Sequence, residues 1–178
     1  MILVFIFVLF YSLSRYYDLS DYGLSSGFRY WQLIAYNFIH LTFMHMFFNS
    51  IGYLIYKPVI AEYYGRKAPV IVIPISVILS SAIFCSEKPT FGASTIIFSM
   101  IGMYLSKIWQ DGHSMRQKYT IMLLIMLMLQ SMFGYNVINW RIHISALVIS
   151  FILSRLCTTL TMISRSKVSW KKTEKDTK

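Results

Sequence analysis

Six apolar runs, each separated from the next by a short polar break, constrain this 178-residue chain more than any other feature. They cover residues 1–13, 40–63, 68–85, 92–109, 119–133 and 140–163. None alternates apolar and polar residues with the period of a strand, and lengths of about 15 to 24 residues suit helices that cross a bilayer. The first run is short for a crossing unless it extends to Tyr17. It lacks the basic n-region and small-residue cleavage site of a signal peptide. No internal repeat is present. The expected fold is all-α: a polytopic six-helix bundle over residues 1–163. A basic tail over residues 164–178 is expected to be solvated and disordered.

Composition agrees. Apolar residues make up 56% of the chain and charged residues only 13%, against about a quarter charged in a soluble domain. That excludes a soluble globular domain, a disordered chain and a coiled coil. Cys85 and Cys157 lie in separate apolar runs and read as packing residues, and no cysteine–histidine cluster suggests zinc.

The net charge of +10, from 17 Lys plus Arg against 7 Asp plus Glu, would suggest nucleic acid in a soluble protein. In a membrane protein it is the basic bias of cytoplasmic loops, so no nucleic-acid partner is expected. Arg66 and Lys67 follow the second run, Lys107, Arg116 and Lys118 accompany the end of the fourth, and Arg165, Lys167, Lys171, Lys172, Lys175 and Lys178 follow the sixth. The other side holds Arg15, Arg29, Lys88 and Arg141, offset by Asp18, Asp21 and Glu87. Both termini are then cytoplasmic, and the second, fourth and sixth runs all descend from the outer face. Residues 14–39, rich in Tyr, Ser, Gly and Trp, read as an interfacial loop, because aromatic residues sit well at headgroup level.

Polar side chains inside a hydrocarbon core are expensive and mark functional sites. Three of the parallel helices carry them near the same outer end. The second run holds His40, His45 and Asn49. At about 100° per residue His45 and Asn49 lie within about 40° of each other, whereas His40 lies about 180° from Asn49 if the helix is already regular there. The fourth run begins Phe91-Gly92-Ala93-Ser94-Thr95, and the sixth carries His143 just inside its outer end. His113 falls in a cytoplasmic loop and reads as an ordinary exposed histidine.

Small residues suggest which helices touch. Ala146, Ser150 and Ser154 line one side of the sixth run, and Ser99, Gly102 and Ser106 the fourth. Such stripes permit close backbone approach between membrane helices. Contact between these two runs would set Ser94 beside His143, a hydroxyl next to an imidazole, which is the minimal nucleophile and base. Asn49, His45 and the Ser94 amide, at a helix start with positive dipole, could stabilise an oxyanion. Gly92-x-Ser94 lacks the second glycine and the preceding strand of a nucleophile elbow.

Taken together, Trp31, the His40-x4-His45-x3-Asn49 spacing, Gly92-Ala93-Ser94 and His143 in the last run resemble the rhomboid intramembrane serine proteases, over nearly all six runs. The resemblance implies a six-helix core with a Ser94/His143 dyad and no third carboxylate. It implies oxyanion donors at Asn49, His45 and the Ser94 amide, and a mainly structural role for His40. Gly92, Phe98 and Gly102 would support the site, with Phe98 in place of a tyrosine that often stacks on the catalytic histidine. Trp31, Phe48 and the first loop resemble parts that brace it. Gln32 stands where the family often has arginine, Thr95 where it usually has glycine, and Ala146 and Ser150 where the last span usually has glycines. Thr95 is expected to add bulk between the fourth and sixth helices.

The function so implied is endopeptidase cleavage of single-span membrane proteins near the outer leaflet of a bacterial-type plasma membrane, with no metal or cofactor. The alternative is a proteolytically inactive relative that binds membrane clients. A transporter or channel would need its polar cluster to continue to the inner face. Only Lys57 and Arg155 lie deeper, and both read as snorkelling side chains.

Overall fold

The computed structural model describes residues 1–111, 121 and 139–176. Six α-helices carry the described chain: α1 (Ile2–Leu13), α2 (Gln32–Ala35), α3 (Phe43–Tyr64), α4 (Lys67–Phe84), α5 (Ser94–Asp111) and α6 (Trp140–Asp176). Short 3-10 turns occupy Ser20–Tyr22 and Tyr36–Phe38, the latter continuing α2. No strand occurs among the described residues; the one extended pairing is an isolated antiparallel bridge between Leu24 and Thr90. The fifth run and His113 fall outside the described residues, apart from helical Ile121.

Among the described residues, two helices are long and apolar enough to cross a membrane, Lys67–Phe84 and Trp140–Thr159. A third span arises if Gln32–Phe38 and Phe43–Tyr64, bent by 100° at their junction, count as one. Pro58 in α3 and Pro74 in α4 are accommodated within helices, as neighbouring helices in a membrane bundle permit. Pro69 lies in the first turn of α4, where its missing N–H would have had no partner anyway. Gly65 ends α3 at φ +67°, a conformation that costs glycine little and turns the chain sharply into α4.

The centre of the bundle is α5. Thr95, Ile97, Phe98, Ser99, Met100, Ile101, Gly102, Met103, Ser106 and Ile108 are all buried, a set that covers every side of the helix. It packs against α3, α4 and α6. A helix enclosed by protein has no need of an apolar face toward lipid. That is why α5 can carry hydroxyl residues and fall short of the hydropathy of the lipid-facing spans. The small-residue stripes do meet: a Cβ at Gly102 would overlap Ser150 Oγ and the Leu147 carbonyl on α6, and Ala146, Ser150 and Ser154 are fully buried.

One expectation needs correction. The second apolar run does not begin its helix at His40. Thr42 is extended and its hydroxyl accepts the His45 amide at 3.2 Å, making Thr42 the N-cap. Ser and Thr favour this role because the side chain satisfies an orphan amide. His40 therefore precedes the helix, and its direction does not follow from helical phase. The sixth helix extends beyond the apolar run into the basic tail. The helix runs on to Asp176. No glycine or proline occurs after Gly134, so nothing in the backbone interrupts α6.

The first loop is folded onto the bundle. Leu24, Leu33 and Tyr36 pack with Ile142 in a buried cluster flanked by Phe28, Ile78 and Cys85. Gln32 organises it. Its Nε2 donates to the carbonyls of Asp21 (2.7 Å) and Gly23 (2.9 Å), and its Oε1 accepts the Arg29 amide (2.6 Å). Trp31 packs edge-on against Tyr22, 5.2 Å between ring centroids.

Candidate active site

The first turn of α5 is fixed from several directions. The Gly92 amide donates to the Tyr36 carbonyl (2.8 Å), and the Ala93 amide donates to His40 Nε2 (3.3 Å). Ser94 Oγ lies 2.7 Å from His143 Nε2. The Thr95 hydroxyl accepts a hydrogen bond from the Tyr36 phenol (2.8 Å). Each of these four consecutive residues is thus tied to a different point of the surrounding protein.

Glycine is required at position 92 for two reasons. Its φ is +101°, and a Cβ there would run into the imidazole of His45. This close approach brings the His45 ring against the turn that carries Ser94. His40 sits edge-on to His45, with centroids 5.2 Å apart, and its other flank meets Phe7 of α1 at 5.0 Å. His40, fully buried, is thereby clamped between α1, α3 and the start of α5.

His143 is held by a ring. Phe98, one turn beyond Ser94 on α5, stacks on the imidazole with centroids 4.8 Å apart and planes 9° from parallel. For Nε2 to accept the serine proton, the ring's own proton must reside on Nδ1. That atom is buried and has no hydrogen-bond partner among the described residues. The stack, rather than a third polar group, sets the plane of the imidazole. Ser94 remains half-buried while His143 is 4% exposed, so the hydroxyl is the reachable member of the pair.

One turn along α3 from His45, Asn49 is 7% exposed, and its Nδ2 has no partner in the described structure. A buried amide donor left unpaired costs about 1–3 kcal/mol. Such a donor is free to meet a developing negative charge. The Ser94 amide opens α5, where the helix dipole is positive.

Every residue expected at the site is accounted for. Ser94, His143, Phe98, Gly92, His45 and His40 form one contiguous group. Asn49 follows on the His45 face of α3, and Gly102 lies two turns below on α5, at its closest approach to α6. Phe48 does not join them: it is 55% exposed on the outside of α3 and packs on Phe47. Trp31 braces the first loop through Tyr22 rather than touching the dyad. Thr95 corrects the expectation of bulk between α5 and α6. Its side chain is fully buried and meets Tyr36. Ser94 and Thr95 are consecutive on a helix and diverge by about 100°, so the two hydroxyls serve different partners, His143 and Tyr36. Tyr36 and its second partner, Ser81 Oγ at 2.8 Å, were not evident from sequence. Their only signals were a tyrosine among many in the first loop and a serine pair at the end of the third run.

A family model described as the rhomboid domain matches residues 27–162. A Bacillus subtilis (strain 168) protein named "Putative rhomboid protease YdcA" is 28% identical over 142 residues, covering 76% of this chain and 70% of the relative. The matched segment holds the whole Ser94–His143 group, and the chain belongs to the rhomboid family.

Proposed function

We propose that this integral membrane protein is an intramembrane serine endopeptidase in which Ser94 and His143 act as a catalytic dyad. The observation that carries this reading is the 2.7 Å contact between Ser94 Oγ and His143 Nε2 at one end of the bundle. As Ser94 attacks a peptide carbonyl, Nε2 takes its proton. The carbonyl oxygen gains negative charge and is met by the Ser94 amide, Asn49 Nδ2 and His45. Collapse breaks the C–N bond, and the imidazolium gives the proton to the departing amine. Water, deprotonated by the same imidazole, then hydrolyses the acyl-enzyme and regenerates Ser94.

The substrates in this reading are single-span membrane proteins cut near the outer leaflet of a bacterial-type plasma membrane. A helix hides its carbonyls in hydrogen bonds, so the substrate segment must unwind locally to be cut. The chain has six spans, with both termini and the Arg66–Lys67 turn cytoplasmic, as the basic residues there favour.

The test is labelling of the purified protein by a serine-reactive fluorophosphonate, paired with cleavage of a single-span substrate in liposomes. Wild type should label and cleave, while Ser94→Ala and His143→Ala should do neither. Because the two residues act as a unit, the double variant should be no worse than either single one. Undiminished cleavage by Ser94→Ala sinks the proposal.

A further inference from the structure

Tyr36 is fully buried, and each end of it holds the entry to α5, residues 92–95. Its carbonyl accepts the Gly92 amide at 2.8 Å. Its phenol donates to Thr95 Oγ1 at 2.8 Å. A phenol has one proton, so the Ser81 hydroxyl, 2.8 Å away, must donate to Tyr36 in turn. The result is a one-way chain, Ser81 to Tyr36 to Thr95, in which each bond polarises the next. It joins α4, the first loop and α5 in a region closed to water: Ser81 and Thr95 are also fully buried. On the other side of the same turn lies Ser94.

We propose that Tyr36 is a positioning residue for the nucleophile, acting through the Thr95 hydroxyl to fix the rotation of the first turn of α5 and hence the aim of Ser94 Oγ at His143. The proposal rests on the protease reading above. The geometry argues for position rather than mere packing. The Gly92 amide and the Thr95 hydroxyl lie on either side of Ser94 in sequence, and both are bound to one residue. A turn held at both flanks cannot rotate about its axis without breaking a bond to Tyr36. His40 holds the intervening Ala93 amide, but at 3.3 Å, a longer contact. Position 95, which a glycine would leave without a side chain, supplies the hydroxyl that completes the clamp.

The test uses conservative variants in the full-length protein. Tyr36→Phe removes the phenol oxygen and keeps the ring. Thr95→Val keeps shape and removes the hydroxyl, whereas Thr95→Ser keeps the hydroxyl. Tyr36→Phe and Thr95→Val should each lower kcat roughly tenfold, the equivalent of one buried hydrogen bond. KM should be unchanged, and fluorophosphonate labelling of Ser94 should slow by the same factor. Thr95→Ser should retain wild-type rates. The double variant Tyr36→Phe/Thr95→Val should be no slower than Tyr36→Phe alone, since Tyr36→Phe already deletes the bond to Thr95. Rates are normalised to folded protein from a thermal melt. Wild-type kcat and labelling in Tyr36→Phe overturn the proposal, even if its melting temperature falls. So does a Thr95→Ser variant as slow as Thr95→Val, which would assign the effect to the methyl group. If wild type neither labels nor cleaves, the protease reading fails and the positioning role falls with it, an outcome distinct from active wild type with unaffected variants.

Discussion

Gly102→Ala isolates the contact that brings the two halves of the site together. The added methyl would land on Ser150 Oγ and on the Leu147 carbonyl oxygen, with the Leu147 carbonyl carbon at 3.0 Å. A hydroxyl can rotate away, but a backbone carbonyl cannot. Restoring ordinary contact near 3.5 Å requires α5 and α6 to part by something on the order of 1 Å. Ser94 lies eight residues up the same helix, about 12 Å along its axis, so much of that separation reaches the Ser94 end of α5. The 2.7 Å Ser94–His143 contact would then exceed about 3.5 Å, beyond hydrogen-bond range. Misplacement of this size costs on the order of 100-fold in rate, and overpacking costs about 1–3 kcal/mol of stability. Adding Ser150→Gly should recover little, because the Leu147 carbonyl remains in the way. The assay is the initial cleavage rate in liposomes, divided by the folded fraction from a thermal melt. A Gly102→Ala rate within about threefold of wild type, less than 1 kcal/mol in barrier, would refute the idea that close approach of α5 and α6 sets the dyad.

Asn49→Ala should lower kcat by roughly 10²–10³-fold with little change in KM, the expected loss for one oxyanion donor; a raised KM with kcat unchanged would assign Asn49 to substrate binding instead. Phe98→Ala removes a stack worth about 0.5–1.5 kcal/mol and should slow cleavage several-fold, whereas Phe98→Tyr, which keeps the ring, should stay near wild type. Single cysteines at Arg66 and Lys178 should react only with a reagent admitted from the cytoplasmic side, and one at Glu87 only from outside; a cytoplasmic Glu87 would invert the proposed orientation.

The proximity of Ser94 and His143 was legible in the sequence because polar residues in long apolar runs are few, and their depth can be counted from the polar breaks. Ser94 and His143 both sit just inside an end of an apolar run, and the Ser99/Gly102 and Ala146/Ser150 stripes pointed to the contact between their helices. His40 was illegible in detail because its direction depends on a cap. Only the extended Thr42 reveals that the helix starts after it. Thr95 was misread because a neighbour in sequence was taken for a neighbour in space. Its actual partner is 59 residues away, and no periodicity links a first-loop tyrosine to a serine late in α4.

The Leu24–Thr90 bridge has a consequence for how this molecule opens. Leu24 and Thr90 exchange both backbone hydrogen bonds, at 3.0 and 2.8 Å, and the Ser26 amide donates to the Ser86 carbonyl at 2.7 Å. Thr90 is two residues before Gly92, whose amide is held by Tyr36 at the far end of the same loop. Residues 24–36 and 86–92 are therefore stitched at both ends and cannot separate in part. Amide hydrogen exchange reads such units as single opening events. The amides of Leu24, Ser26, Thr90 and Gly92 should exchange at one common rate, slower than the exposed turn around Gly27 that they enclose.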